Sequence, residues 1–448
     1  MKIKGSEELF SFAGGPVEQI SINEGLTEIP EIILERAPRV KMLDLSNNHL
    51  LELPQWIAQL SELEIIFLSY NRFSCVPEIL GRLPSLRMIG MRGNQIEVLP
   101  STSLPASLEW LTLTDNHLGE LPPEIGHVPR LRKLLLAGNR LQTLPESLQA
   151  AHSLELLRLA ANSFESFPDW LCMLPSLAWL ALAGNPCTPR GDSHASQEQA
   201  IPWSSLTLGK ELGRGASGPT FLATMVDPSG ISEEVAVKLF TSRISSDGNS
   251  LDEIQAAIGA GRHPNLVSTR APLRDHPERL AGLVLDLVPL GYRNLAAPPN
   301  FQTCTRDVYS HTTPLSAASA ASYAQDIAAA AHHLHSRGIL HGDLYAHNIL
   351  VSPDHALLSD FGAAGMYQDT PSLNSAMLER IEVRAYGILV EELLTQVSTD
   401  SHHYHAGSMP VLRELSKRCS SRAPLSRPNF AEVLEQLPKT GLLSPHEN

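Results

Sequence analysis

Between residues 40 and 186 the apolar positions keep one frame. The stretch "LDLSNNHL" (43–50) returns as "IFLSYNRF", "IGMRGNQI", "LTLTDNHL", "LLLAGNRL", "LRLAANSF" and "LALAGNPC". The asparagines fall at 48, 71, 94, 116, 139, 162 and 185, a period of 22 or 23 residues, and a proline stands six residues after each of the first six. Val17 to Pro30 reads as a degenerate eighth copy. Alternation at Leu43 and Leu45 predicts a short strand with both leucines turned inward, and equivalent pairs should stack into one continuous core. Each asparagine turns the chain inward, where a buried amide must hydrogen-bond the backbone of adjacent turns. The "LPxxI" segment then returns along the convex side. Nothing in this half is catalytic.

The pattern resembles the leucine-rich repeat family, LxxLxLxxNxL, over roughly residues 17 to 188. One position per strand, just before the first inward leucine, should face the concave surface. It reads Met42, Ile65, Met88, Trp110, Lys133, Leu156 and Trp179, six of them large and apolar. A run of such side chains is costly to leave in water. Met88, Trp110, Leu156 and Trp179 are therefore candidate contacts for a protein partner or for the chain's own second half. The competing reading is that the slot is apolar because it packs on its neighbours.

After Asn185 the periodicity stops. The segment 1–188 is read as the solenoid, 189–200 as a polar linker, 201–440 as a second domain and 441–448 as a tail. In the second domain the alternation changes character. "LGKELGRGASGPTFLA" (208–223) sets glycines between strand-like flanks and runs on through a turn at Asp227 to Gly230 into "VAVK", ending at Lys238. "SLDEIQAAIGAGRHPNLV" (250–267) predicts a helix, "GLVLDLVPLG" (282–291) a strand and connection, and "SYAQDIAAAAHHLHSRGI" a longer helix leading into "LHGDLYAHNILV".

Composition narrows the classes. With 43% hydrophobic and 18% charged residues in 448, the chain should fold into at least two domains. A formal net charge of −14 argues against nucleic acid or an anionic membrane surface as the main partner. The five cysteines (75, 172, 187, 304 and 419) are scattered and never spaced CxxC, which argues against a disulfide framework or structural zinc and points to a reducing cytoplasm. The start, "MKIKGSEELF", does not read as a secretory signal, and no window of about 20 apolar residues reads as a membrane span.

Gly213, Gly215 and Gly218 form GxGxxG, which dinucleotide folds share. The hairpin that follows, in place of a helix, decides between them. With "VAVK", "HGDLYAHN" (341–348) and "SDFG" (359–362), the second half resembles the protein kinase family. The fold class implied is an α/β leucine-rich-repeat solenoid followed by an α+β two-lobed protein-kinase-like domain. The resemblance implies ATP and Mg²⁺ as cofactors. Gly213, Arg214, Gly215 and Gly218 would hold phosphates and Lys238 the α and β phosphates. Asp286 and Val288 would meet adenine, with Leu285 as gatekeeper. Glu253 would hold the lysine, with Asp252 as the alternative. Asp343 would be the base, and Asn348 and Asp360 the metal ligands.

The departures are as informative. Gly342 replaces the arginine usual before the aspartate, and Tyr345 the lysine usual two residues after it. Without that arginine, a phosphate on Thr370, Ser372 or Ser375 would lack its usual partner, so activity should not need it. Restoring the charge as Gly342→Arg should suppress activity. No Ala-Pro-Glu landmark is present, and Glu379 is one candidate acid for Arg427. His332, His333, His335 and His341 read as structural rather than metal-binding, and "SHHYH" (401–405) as a polar loop. The expected function is a protein kinase, serine/threonine rather than tyrosine, with repeats that recruit a substrate or regulator. A pseudokinase scaffold and a small-molecule phosphotransferase are the alternatives; "SDFG" argues against the latter.

Overall fold

A computed structural model describes residues 2–11, 17–189, 200–242, 244–310, 314–367, 375–398 and 408–437. Most of the linker, Thr370, Ser372, the loop 401–405 and the tail lie outside them. The chain divides into two compact units, the first built on residues 1–177 and the second on 189–243 and 250–448. No helix among the described residues is long and apolar enough to cross a membrane.

The repeats form one parallel sheet in chain order: β1 (Lys2–Lys4), β2 (Gln19–Ser21), β3 (Met42–Asp44), β4 (Ile65–Phe67), β5 (Met88–Gly90), β6 (Trp110–Thr112), β7 (Lys133–Leu135), β8 (Leu156–Arg158) and β9 (Trp179–Ala181). Two short helices, α1 (Ser6–Ser11) and α2 (Ile32–Arg36), precede the single 3₁₀ turns that return the later repeats. Leu43 and Leu45 are fully buried, as the alternation requires. The asparagines form the expected ladder. Asn116 accepts the Ile96 amide at 3.0 Å, and its amide group donates to Met91 O at 3.0 Å and Leu113 O at 3.1 Å. Each turn is thereby stitched to the one before it, and a buried polar group is satisfied.

A second ladder went unread in the sequence. The residues preceding successive strands alternate in charge: Glu18, Lys41, Glu64, Arg87, Glu109, Arg132 and Glu155. Lys41 lies 4.0 Å from both Glu18 and Glu64, Arg87 lies 3.8 Å from Glu64 and 3.9 Å from Glu109, and Arg132 lies 2.9 Å from Glu155. Strands about 4.8 Å apart in register place these side chains together.

Burial varies along the row of candidate contacts. Met88, Leu156 and Trp179 are buried, and Trp110 is half-buried. Residues of the row stand directly opposite one another in the parallel register. The Lys133 ammonium sits 4.0 Å from the centre of the Trp110 ring, whose indole N–H donates to Thr112 Oγ1.

The second unit has two lobes. Its six-stranded sheet has the order β10 (Ile201–Pro202), β14 (Thr269–Arg274), β15 (Gly282–Asp286), β13 (Ser232–Leu239), β12 (Pro219–Val226) and β11 (Leu206–Arg214). Val235, Val237 and Leu239 on β13 enter a core with Leu206, Ala223, Leu273 and Val284. Period-two alternation turns Ala236 and Lys238 to the opposite face. Helix α3 (Ser250–Ala260) follows β13. The other lobe is helical, with α4 (Ala317–Ser336), α5 (Ser375–Gln396), α6 (Ser408–Cys419) and α7 (Phe430–Gln436). Small side chains on α4, among them Ala320, Ala324, Ala328 and Ala331, are buried at helical spacing. Small ribbons β16 (Arg293–Asn294), β18 (Ile349–Val351) and β19 (Ala356–Leu358), and the pair β17 (Ile339–Leu340) with β20 (Gly365–Met366), flank the catalytic-loop sequence.

Candidate active site

A cleft of about 800 Å³ opens between the sheet and the helical lobe. Leu212, Ala236 and Leu285 line it from the sheet, Leu350 and Phe361 from the other lobe, and Asp286 to Leu290 along the connecting strand. Its apolar side chains suit a flat ring, and Lys238, Glu253 and Asp360 stand together at one end.

That end is a charge cluster. Lys238 Nζ lies 2.5 Å from Glu253 Oε1 and 3.1 Å from Asp360 Oδ1. Glu253 rather than Asp252 faces the lysine. Burial works against the Lys238 charge, but Asp360 and Glu253 outweigh it and hold the ammonium above its ordinary range. Burial pushes the Glu253 carboxyl up, to about 7, against the pull of Lys238. Lost hydration also opposes ionisation of Asp360, yet Lys238 beside it and the Gly362 amide keep its carboxyl below the usual range. The Asp360 side chain remains 42% exposed. Its φ of +58° is a strained value for a non-glycine residue.

Asn348 donates its amide to Asp343 twice, to the carbonyl at 2.9 Å and to Oδ2 at 2.8 Å. Its own carbonyl accepts from the Ser359 amide and hydroxyl, which ties the loop to the strand entering Asp360. His341, fully buried, has its Nε2 3.0 Å from Ser359 O. Of the residues that sequence reading assigned to one site, Lys238, Glu253 and Asp360 meet at the cleft, while Asp343 and Asn348 pair with each other and are tied to Ser359, next to Asp360, without lining the cleft.

The glycines divide. Gly213, Arg214 and Gly215 line the cleft. The Arg214 side chain turns back to Glu211 at 2.8 Å. Gly218 does not line the cleft: with φ at +151°, a Cβ there would lie 2.0 Å from Leu239 O. The close pass of its backbone against β13 leaves no room for a side chain there. Asp286 sits at the cleft with its carboxylate committed to Arg270, at 2.5 Å, and Arg262, at 3.4 Å. Its main-chain amide donates to Ser268 O at 2.9 Å, and Val288 also lines the cleft.

Glu382, on α5, was missed as a site residue. Its buried carboxylate accepts the Gly342 amide at 2.7 Å and the His341 amide at 3.3 Å, and lies 2.7 Å from His335 Nε2. Burial opposes its charge, but His335 and these donors keep it below the ordinary range. Two acids, Glu379 and Glu382, stand early in the helix after "SDFG", so the sequence alone did not single it out. Gly342 has φ at +73°, and a Cβ would lie 2.7 Å from Ala363 O. Restoring arginine there therefore adds backbone strain as well as charge. Of the other expectations, His333 Nε2 meets Ala260 O, while His335 joins Glu382 to Tyr367. Glu379 accepts the Phe430 amide, and Arg427 donates to the carbonyls of Ser421 and Arg380.

The sheet lobe with its lysine, the paired helix glutamate and the aspartate–asparagine loop define the protein kinase fold. Residues 206–386 match the family model for the protein kinase domain. Residues 19–73, 38–96, 106–164 and 129–186 match that of the leucine rich repeat. The chain thus carries N-terminal leucine-rich repeats and a C-terminal protein kinase domain. Among curated proteins it is similar to a probable serine/threonine-protein kinase of Dictyostelium discoideum, 27% identical over 145 residues, covering 25% of this chain and 24% of that protein. It is also similar to mouse leucine-rich repeat and calponin homology domain-containing protein 1, 35% identical over 79 residues (18% of this chain, 11% of that protein). Mouse prolargin is 41% identical over 81 residues (18% and 21%). The matches thus span about a quarter or less of each relative's length.

Proposed function

We propose that this chain is an ATP-dependent protein kinase that transfers the γ-phosphate to a serine or threonine hydroxyl, with the repeats recruiting a protein substrate or regulator. The observation that carries the reading is the joined cluster of Lys238, Glu253 and Asp360 at the polar end of the cleft. Glu253 and Asp360 hold the ammonium toward the phosphates, and Gly213 and Gly215 line the same cleft without side chains to block their approach. Asp286 and Val288 edge the apolar part of the cleft where adenine would lie. Asn348 fixes one oxygen of Asp343, so the carboxylate is oriented to take the proton of the attacking hydroxyl. The residues fit Mg²⁺: Asp360 is held ionised and exposed to the cleft, and Asn348 spends its amide hydrogens on Asp343, leaving an oxygen donor. Bound magnesium would neutralise charge on the phosphates. Serine/threonine preference draws on the name of the Dictyostelium relative.

Lys238→Met, Asp343→Asn and Asp360→Ala should each cut autophosphorylation by orders of magnitude in a chain that stays folded, because positioned charge supplies most of this catalysis. Wild-type incorporation by Asp343→Asn overturns the reading. Tyr345 at the loop lysine's position favours a second reading, a scaffold without turnover. That reading predicts no magnesium-dependent ATP hydrolysis by the wild-type chain.

A further inference from the structure

Tyr367 is the last residue described before the stretch leading into α5, and it is anchored at three points. Its amide donates to Gly338 O at 2.9 Å, continuing the β17–β20 pairing. Its hydroxyl lies 2.8 Å from His335 Nδ1 and 3.4 Å from His335 O. The side chain is 8% exposed, so this hydroxyl is a buried polar group and not a surface decoration. His335 is itself enclosed, stacked on Phe430 at 5.3 Å, with its other nitrogen 2.7 Å from Glu382 Oε2.

The donors can be assigned by chemistry. Glu382 is an acceptor, so His335 Nε2 carries a hydrogen and donates to it. At the other ring nitrogen, Nδ1 and the Tyr367 hydroxyl share a hydrogen bond of 2.8 Å. The same carboxylate accepts the amides of Gly342 and His341. One hydrogen-bonded line therefore runs from Tyr367 through His335 and Glu382 to the backbone that immediately precedes Asp343.

We propose that Tyr367 is a positioning residue, whose hydroxyl fixes the start of the activation segment and, through His335 and Glu382, the catalytic-loop backbone carrying Asp343. It rests on the kinase reading above. The line is made of buried side-chain hydrogen bonds, so this ordering needs no phosphate and no arginine at Gly342. It supplies locally what a phosphate–cation pair supplies in switched enzymes.

The test uses the full chain and Tyr367→Phe, which removes one oxygen and keeps the ring. The expected result is a fall in kcat of about tenfold with the KM for ATP unchanged, the size of one buried hydrogen bond expressed in the aligned state. His335→Asn should give a similar loss, and the double variant little more than either single, because both break one line. Amide hydrogen exchange at Gly342 and Tyr367 should speed up in Tyr367→Phe, a readout that does not depend on turnover. If kcat and exchange both match wild type, or if only thermal stability changes, the positioning role is overturned. If wild type turns over no ATP yet exchange still rises in Tyr367→Phe, the coupling stands and the kinase reading falls.

Discussion

Substituting Gly342 separates backbone geometry from charge in the catalytic loop. At φ +73° an L side chain costs roughly 1–2 kcal/mol. A Cβ would also press on Ala363 O from 2.7 Å, and that oxygen belongs to backbone that cannot swing aside. Rotating φ to relieve the strain would pull the amide from Glu382, a charge-assisted hydrogen bond of about 1.5–3 kcal/mol. Gly342→Ala should therefore destabilise the kinase unit by about 1–3 kcal/mol, whichever way the loop yields. Urea unfolding followed by fluorescence, with the slope checked for constancy, reads the loss as a lower midpoint. Initial rates of autophosphorylation should fall too, since Asp343 is the next residue. Gly342→Arg carries the same strain plus a cation, so only its difference from Gly342→Ala reports on charge. An alanine variant with wild-type midpoint and rate would refute the geometric argument.

Asn116→Ala removes the acceptor of the Ile96 amide and the donor to Met91 O and Leu113 O inside the solenoid. Those buried groups lose their partner, and urea denaturation should show a loss of about 2–4 kcal/mol; a shift under 0.5 kcal/mol, on the order of a surface substitution, contradicts the ladder. Glu64→Lys places a cation between Lys41 and Arg87. Thermal melts at low salt should show about 1 kcal/mol of destabilisation that shrinks in roughly 0.5 M salt, and a salt-independent loss would point to packing instead. His347 lies 2.8 Å from Asp307. Burial works against its charge, yet the hydrogen bond to Asp307, with Asp343 adding to it, raises the imidazole above its ordinary value. A folded value above the unfolded one adds stability that is complete below the unfolded value and is lost as pH rises through the folded one. Asp307→Asn should remove that dependence, which NMR titration of the His347 ring can follow; an unmoved titration would contradict it.

What the sequence determined by itself is what repeats or sits at short fixed spacing. The 22- or 23-residue period sets the strands and the asparagine ladder, because each turn satisfies its backbone only against the next. Lys238, Asp343, Asn348 and Asp360 were legible because each lies in a local motif whose backbone conformation a few residues dictate. Glu253 was legible only to within one residue, and the face of α3 that meets β13 settled it. Tertiary structure alone decided the rest. Gly218 shares its motif with Gly213 and Gly215, but the proximity of Leu239 O leaves no room for a side chain there. Glu382 acts on amides 40 and 41 residues earlier, and Tyr367 on a ring 32 residues earlier. Contacts of that kind leave no periodicity in the chain. They exist because packing excludes water and makes each buried polar group find a partner, wherever in the sequence that partner happens to be.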